Sequence, residues 1–394
     1  MKTVALFIPR EIDGHRIVFR HILESLIAYG QNLDIIIAGE LQSYQDDNIV
    51  PPYLRDKVKF RDIYFKKTSY HEHLSRHGIP KFVTKAYMQP MDVGYSLTDC
   101  DLWIFPAGSV QMFHQPFAPT RPYITFASRL PRFSSDDGRT PEEINFCLDY
   151  LLHLRAAERV LSPSTDTSNR LTSYAGVSAR KVKTLPFPYE PLPEVKSKSK
   201  AKKGYLLWCT DGDRSNEWDR ALTIIDLLYE QYDFDKEIVI CSNPREKDGD
   251  YSNRLVETKS GFWKMLVESI ENDDTSRRSI ATATTSKDFT AILNQASAVF
   301  HFRKRGPTPF ILIDAGKAGV PVFSSRYPAA ENAAQLAGTS VCFFDLATST
   351  NEEIAQLIAT NKNFEKLESD VALKNRNEHK EDWARAIMDV LDEV

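Results

Sequence analysis

Short unbroken apolar runs recur along this chain, each followed by a longer stretch with one polar face. LDIIIA (33–38), LWIF (102–105), YITF (123–126) and EIVIC (237–241) are apolar at almost every position. A strand of this kind is buried on both faces, which is the condition of a parallel sheet covered by helices. Val4–Ile8, Arg159–Ser162 and Val182–Leu185 complete a first series of predicted strands. Tyr205–Trp208, Ser279–Ala283, Ala298–Phe302, VPVFSS (320–325) and Cys342–Phe344 belong to a second. Helical patterns lie between them at His15–Tyr29, Thr140–Ala157, Pro163–Tyr174, Asp219–Tyr232, Phe262–Glu271, Lys287–Gln295 and FILIDAGKAG (310–319). Asn351–Asn361 and Glu381–Val394 add two amphipathic helices. The alternation defines an α/β protein built from βαβ units.

The two series are divided by PFPYEPLPEVKSKSKAKK (186–203), which is rich in Pro, Lys and Ser and has no periodic apolar face. It reads as a linker. The reading gives two doubly wound halves, residues 1–190 and 204–375, joined by 191–203 and followed by a C-terminal segment, 376–394. A chain of 394 residues suits two domains. In such sheets the ligand lies beyond the carboxyl ends of the strands, so two halves facing across a cleft would enclose it.

The stretch from His301 to Glu331 carries the chemistry. The predicted strand AVFHF ends directly in Arg303, Lys304 and Arg305, then Gly306-Pro307-Thr308-Pro309, then a helix. The first N–H groups of a helix have no intrahelical partner, so cations beside a helix head form an anion site. Pro307 and Pro309 lack an N–H, which leaves Thr308, Phe310 and Ile311 as donors. Asp314, one turn into the helix, is placed to accept from sugar hydroxyls.

Other classes drop out. Net charge is −4, which argues against nucleic-acid binding. The five cysteines are scattered singly, so a zinc site or disulfide scaffold is not expected, and no metal is assigned. The N-terminal apolar run is too short for a signal peptide, and no stretch approaches the ~20 apolar residues of a membrane helix. The expectation is a cytoplasmic protein, with peripheral membrane association left open. Residues Arg55–Lys81 are basic and contain His71, His73 and His77. They read first as a solvated edge, and second as a face for an anionic acceptor or membrane surface. Walker A, GxGxxG after the first strand and GxSxG are absent. Asp211-Gly212-Asp213 has the letters of a DxD metal motif but reads as a turn.

Three segments resemble the GT-B glycosyltransferases, specifically the large retaining group classified as family 4. They are RAAERVLSPSTDTSNRLTSYAGVSARKVKTLPFP (155–188), SKDFTAILNQASAVFHFRKRGPTPFILIDAGKAGVPVFSS (286–325) and ENAAQLAGTSVCFFDLATSTNEEIAQLI (331–358). Trp383 stands where a helix of that family crosses back to the first domain. The resemblance implies an acceptor domain, then a donor domain, and a hexosyltransferase of polysaccharide biosynthesis. It implies a UDP- or GDP-sugar donor, a glycan or glycolipid acceptor, retention of configuration, and no separate cofactor. It places Gly14, Lys304, Gly306, Thr308, Phe310, Ile311 and Asp314 at the donor, with Arg303, Arg305 and Arg214 on the diphosphate. The chain departs from the pattern in three places. Of the family's two loop glutamates, the second falls on Asp314 and the first on Gly306, which has no side-chain acceptor. The Gly-Arg pair and following Lys expected after the first strand of the second domain meet CTDGDRSNEWDRA, where Arg214 or Arg220 would take the phosphate role. A histidine usual in the first domain is replaced in TFASR by Ser128 and Arg129. Two other classes stay open. One is a non-catalytic GT-B protein that binds a glycan or partner. The other, with less support, is a GT-B epimerase or phosphorylase, for which no pyridoxal lysine motif is evident.

Overall fold

A computed structural model describes residues 2–8, 14–46, 49–69, 86–92, 94–106, 120–127, 150–185, 204–210, 217–241, 270, 277–281, 283, 285–304, 309–361 and 375–394. The chain divides into two compact units, Met1–Pro188 with His379–Val394, and Tyr189–Glu378.

Unit 1 holds a parallel sheet of β1 (Lys2–Phe7), β2 (Leu33–Gly39), β3 (Lys59–Asp62), β6 (Leu102–Phe105), β7 (Tyr123–Phe126), β8 (Arg159–Ser162) and β9 (Val182–Thr184). The strand order is β3-β2-β1-β6-β7-β8-β9. β4 (Phe65–Ser69) and β5 (Ala86–Pro90) form a separate antiparallel pair. Helix α1 (Gly14–Tyr29), the short α2 (Leu41–Gln45) and α3 (Pro52–Arg55), α4 (150–156) and α5 (Thr165–Ser173) are among the described helices of the unit. Ser164 caps α5 by accepting from the Thr167 N–H at 3.1 Å. The core on one face joins Phe7, Trp103, Phe105 and Tyr123 to Leu151, Leu154 and Leu171.

The described part of the basic segment includes the edge strand of this sheet. β3 is the edge strand; Lys59 pairs with Asp34 at 2.6 Å and Arg61 with Asp99 at 2.5 Å. Charged side chains on an edge strand block pairing with another chain. The three histidines lie outside the described residues.

Unit 2 holds a second parallel sheet: β10 (Tyr205–Cys209), β11 (Ile238–Cys241), β12 (Arg278–Ala281), β13 (Ala296–His301), β14 (Val322–Ser325) and β15 (Val341–Phe344). Its order is β12-β11-β10-β13-β14-β15. Its described helices include α6 (Trp218–Glu230), α7 (Ser286–Gln295), α8 (Phe310–Lys317), α9 (Pro328–Ala337) and α10 (Asn351–Thr360). Consecutive residues of β10, Leu206, Leu207 and Trp208, are all buried, as a sheet covered on both faces requires. One face packs Leu206, Trp208, Ile240 and Phe300 against Ile224, Leu228 and Ile354.

α8 is shorter than the predicted 310–319. Gly319 takes φ 62, and the N–H groups of Ala318, Gly319 and Val320 close on Asp314, Gly316 and Ala315 carbonyls. That ends the helix at Lys317 by satisfying its last carbonyls. β14 starts two residues later than predicted, because Val320 is held by the helix end and Pro321 has no N–H. α9 has no counterpart in the sequence reading. It runs on alanines, with Pro328 at its first turn and Gly338 at φ 60 beyond its end.

The last helix, α11 (Asn375–Asp392), brings its C-terminal part into unit 1. Trp383 is buried, with its ring edge-on to His21 at 5.9 Å. The Lys2 ammonium donates to the Leu391 carbonyl at 3.1 Å, and Arg159 pairs with Glu393 at 3.1 Å.

Candidate functional site

In unit 2 the strand order reverses between β10 and β13, so crossovers leave these neighbours in opposite directions. The crevice beyond their carboxyl ends is where such sheets bind ligands. Two chain segments reach it. β10 leads through Thr210 toward Glu217, the residue before α6. β13 leads through buried Phe302 to Arg303 and Lys304.

Ser325 fixes where the cations begin. β13 and β14 run parallel with His301 opposite Ser324. One step on, the Arg303 N–H donates to Ser325 Oγ at 2.9 Å, and the Ser325 hydroxyl donates back to the Arg303 carbonyl at 2.6 Å. A side chain thus continues the ladder where strand pairing stops, and the Arg303 backbone is held at both polar groups.

His301 lies beneath, 5% exposed. Its Nδ1 is 2.9 Å from Ser324 Oγ, and the Ser324 hydroxyl donates to the Ser325 carbonyl at 3.0 Å. The serine has one proton, so the network assigns the imidazole N–H to Nδ1 and the lone pair to Nε2. Burial first, and the Arg303 charge second, push the imidazole pKa down to about 3. His301 is therefore neutral at physiological pH, beside cations that would repel its charged form.

Lys304 is exposed, and its ammonium lies 3.1 Å from Glu217 Oε1. The other carboxylate oxygen is 4.0 Å from Arg220 Nη1. Glu217 has φ 40 and ψ 48, in the left-handed region that a residue with a Cβ seldom adopts. Arg220, the other candidate for the phosphate role, has its guanidinium engaged within unit 2. Its guanidinium donates to Asn351 Oδ1 at 2.7 Å, to the Leu346 carbonyl at 2.6 Å and to the Ser349 carbonyl. It ties the head of α6 to the turn before α10.

The helix after the cations starts where the sequence placed it. Pro309 precedes its first residue, and its carbonyl accepts from the Leu312 N–H at 3.2 Å. Phe310 and Ile311 are the first two helical residues, so their N–H groups stand at the helix head. Asp314 is 1% exposed, and in this structure its carboxylate is enclosed rather than open to a solvent-borne ligand. Gly316 permits close packing behind it: a Cβ there would lie 2.2 Å from Thr339 Oγ1, which donates to the Leu312 carbonyl at 2.8 Å.

Thus Arg303, Lys304, Phe310, Ile311 and Asp314 lie on one strand-end and the helix that follows it. Gly14 opens α1 in the other unit. Arg214, Arg305, Gly306 and Thr308 lie outside the described residues, as do Ser128, Arg129 and Asp211–Asp213. The sequence reading missed Glu217, His301, Ser324 and Ser325. A signal for the serines existed: two polar residues end the otherwise apolar VPVFSS strand. No group of side chains suited to hold a metal ion occurs among the described residues. No helix among them is long and apolar enough to cross a membrane.

No protein-family model matches the sequence, and no curated protein does. Solved structures do match over the whole chain. Anabaena HepE in complex with UDP superposes with a TM-score of 0.60 at 11% identity, covering 100% of both chains. WaaG, a glycosyltransferase involved in lipopolysaccharide biosynthesis, gives 0.56 at 12% identity, covering 99% of this chain and 95% of its own. The UDP-GlcNAc 2-epimerase of Methanocaldococcus jannaschii gives 0.51 at 13% identity, covering 100% of both. The chain has the GT-B fold, two Rossmann-like α/β units. At these identities the likeness defines the fold and leaves the reaction to the site.

Proposed function

We propose that this chain is a glycosyltransferase that takes its sugar from a nucleotide-diphosphate donor, with UDP-sugars as the first candidates. The observation that carries the reading is the cationic end of β13. Arg303 and Lys304 stand at the switch point of the second sheet, directly before the head of α8. Two facts support it: HepE was solved with UDP in the same fold, and WaaG is a glycosyltransferase.

In this reaction the bond between the anomeric carbon and the donor's β-phosphate oxygen breaks, and an acceptor oxygen bonds to that carbon. The leaving diphosphate gains negative charge as the bond breaks. Arg303, Lys304 and the Phe310 and Ile311 N–H groups stabilise that charge, and this kind of term is usually the largest in catalysis. Arg305, Arg214 and Thr308 add to it in the same proposal, with Gly306 allowing close approach of the donor and Gly14 as a further donor-binding residue. Asp314, enclosed in this structure, accepts from the ribose hydroxyls in this proposal only if donor binding rearranges the side chains that cover it. We further propose a hexosyl donor and retention of configuration. The acceptor attacks from the side the diphosphate leaves, and its proton passes to the departing phosphate oxygen, so no separate base is needed. The cations take the place of a metal. The acceptor is a glycan or glycolipid.

Incubation with a panel of UDP- and GDP-sugars tests the reading. The expected result is donor hydrolysis or transfer that falls by about two to three orders of magnitude in the Arg303→Ala, Arg305→Ala double variant. Unchanged turnover in that variant would remove the diphosphate assignment. Gly306, where the resembled family has an acid, favours the second reading, a non-catalytic binder. Nucleotide binding without turnover of any donor would decide for it.

A further inference from the structure

We propose that Glu217 is an internal counter-anion of the donor site: its carboxylate holds Lys304 until a donor diphosphate displaces it, and so sets donor affinity. The inference rests on the donor site proposed above.

Three observations carry it. The first is the contact itself, 3.1 Å between Lys304 Nζ and Glu217 Oε1. It spans the two segments that leave β10 and β13, at the place where the strand order reverses. A carboxylate of the protein thus lies at the switch point, where sheets of this kind bind ligands.

The second is that the pairing has no structural need behind it. Lys304 is 67% exposed and would be well hydrated alone. Arg220, the other cation near Glu217, already has three oxygen acceptors at the turn before α10 and sits 4.0 Å away. The shorter contact is the one with Lys304.

The third is the backbone. Glu217 and Asp233 alone among the described non-glycine residues have positive φ. At the entrance of α6 a glycine would adopt φ 40 without strain, yet the position carries a long acidic side chain. Strained backbone of this kind clusters at ligand sites.

The electrostatics set the direction of the effect. A carboxylate carries one negative charge and a nucleoside diphosphate carries more, on oxygens that can meet Lys304 and the α8 head together. The ligand therefore wins the lysine but must first break its pair with Glu217. Removing the carboxylate charge removes that competition. An exposed pair contributes little, so the gain is modest and is screened by salt.

The test is calorimetric titration of the full chain with UDP, and with GDP, at low and at high salt. Glu217→Gln should bind UDP about fivefold more tightly at low salt, with a smaller gain at high salt. Lys304→Met should bind more weakly, and adding Glu217→Gln to it should bring no gain. Urea unfolding of each variant separates a folding defect from a binding effect. Unchanged or weaker UDP binding in Glu217→Gln, with the wild type binding and the variant folded, overturns the inference while leaving the donor site standing. A gain that persists without Lys304 overturns it too. Absence of UDP and GDP binding to every form overturns the donor site and this inference with it.

Discussion

The carboxylate of Glu217 and the ammonium of Lys304, far apart in the chain, meet 3.1 Å apart beyond the ends of β10 and β13. One partner was visible in the sequence as part of a cationic run. The other lies in CTDGDRSNEWDRA, where the family resemblance implies a phosphate-binding cation and not an acid. Because Glu217 sits at φ 40, its backbone and its side chain can be tested separately. Glu217→Gly should be more stable than Glu217→Ala by about 1 kcal/mol, since only the alanine keeps the left-handed strain. Urea unfolding of the two variants measures this, and equal stabilities would remove the strain argument.

Ser325→Ala should weaken both stability and ligand binding. The hydroxyl serves the N–H and the carbonyl of Arg303. Its loss should cost about 1–3 kcal/mol in urea unfolding, the range for stranding a buried polar group. It should also lower UDP affinity, because the Arg303 backbone loses its anchor. A variant that unfolds earlier but binds UDP as the wild type does would confine Ser325 to a folding role.

Gly316→Ala should destabilise by about 1–3 kcal/mol through overpacking. The new Cβ would lie 2.2 Å from Thr339 Oγ1. Combining it with Thr339→Ala should recover part of the loss. The recovery should be incomplete, because the Ala337 Cβ and carbonyl oxygen lie 3.1 Å from the same point. Strict additivity of the two substitutions in a double-mutant cycle would count against the predicted clash.

Stability should fall in mild acid through His301. Its folded pKa is lowered to about 3 by burial and then by Arg303, against ~6.5 in an unfolded chain. Above about pH 6.5 neither state is protonated at this site, and the contribution to stability is whole. Below that, the unfolded chain binds a proton that the folded chain refuses, so stability drops until the folded pKa near 3 is reached. The loss should be ~2 kcal/mol at pH 5. Urea unfolding at pH 7.5, 6 and 5 should give a steeper decline for the wild type than for His301→Gln. Parallel declines would assign the acid sensitivity elsewhere.

The sequence was readable where a strand is apolar at every position. LWIF and YITF are β6 and β7 without adjustment, and the two series of such runs correspond to the two sheets. α9 escaped because alanines bury little area and give weak periodicity, although Pro328 and Gly338 marked its ends. β4 pairs antiparallel with β5 and is mostly polar, FKKTS, so it lacks the burial signature of the main strands. At the site, the order strand, cations, helix could be read along the chain. Contacts between distant segments could not: Arg220 and Lys304 are both cations beside an α/β strand-end, and only their three-dimensional partners tell a structural tether from a solvent-facing charge.

Unit 1 is made of two pieces of chain with the whole of unit 2 inserted between them. During synthesis, residues 379–394 emerge only after unit 2 is complete. Until then the surface near His21 lacks Trp383, and the Lys2 and Arg159 side chains lack Leu391 and Glu393. Unit 1 therefore cannot complete its packing until the 379–394 piece has been made. A stop codon after residue 378 would leave every strand of the second sheet in place while removing Trp383, Leu391 and Glu393 from unit 1.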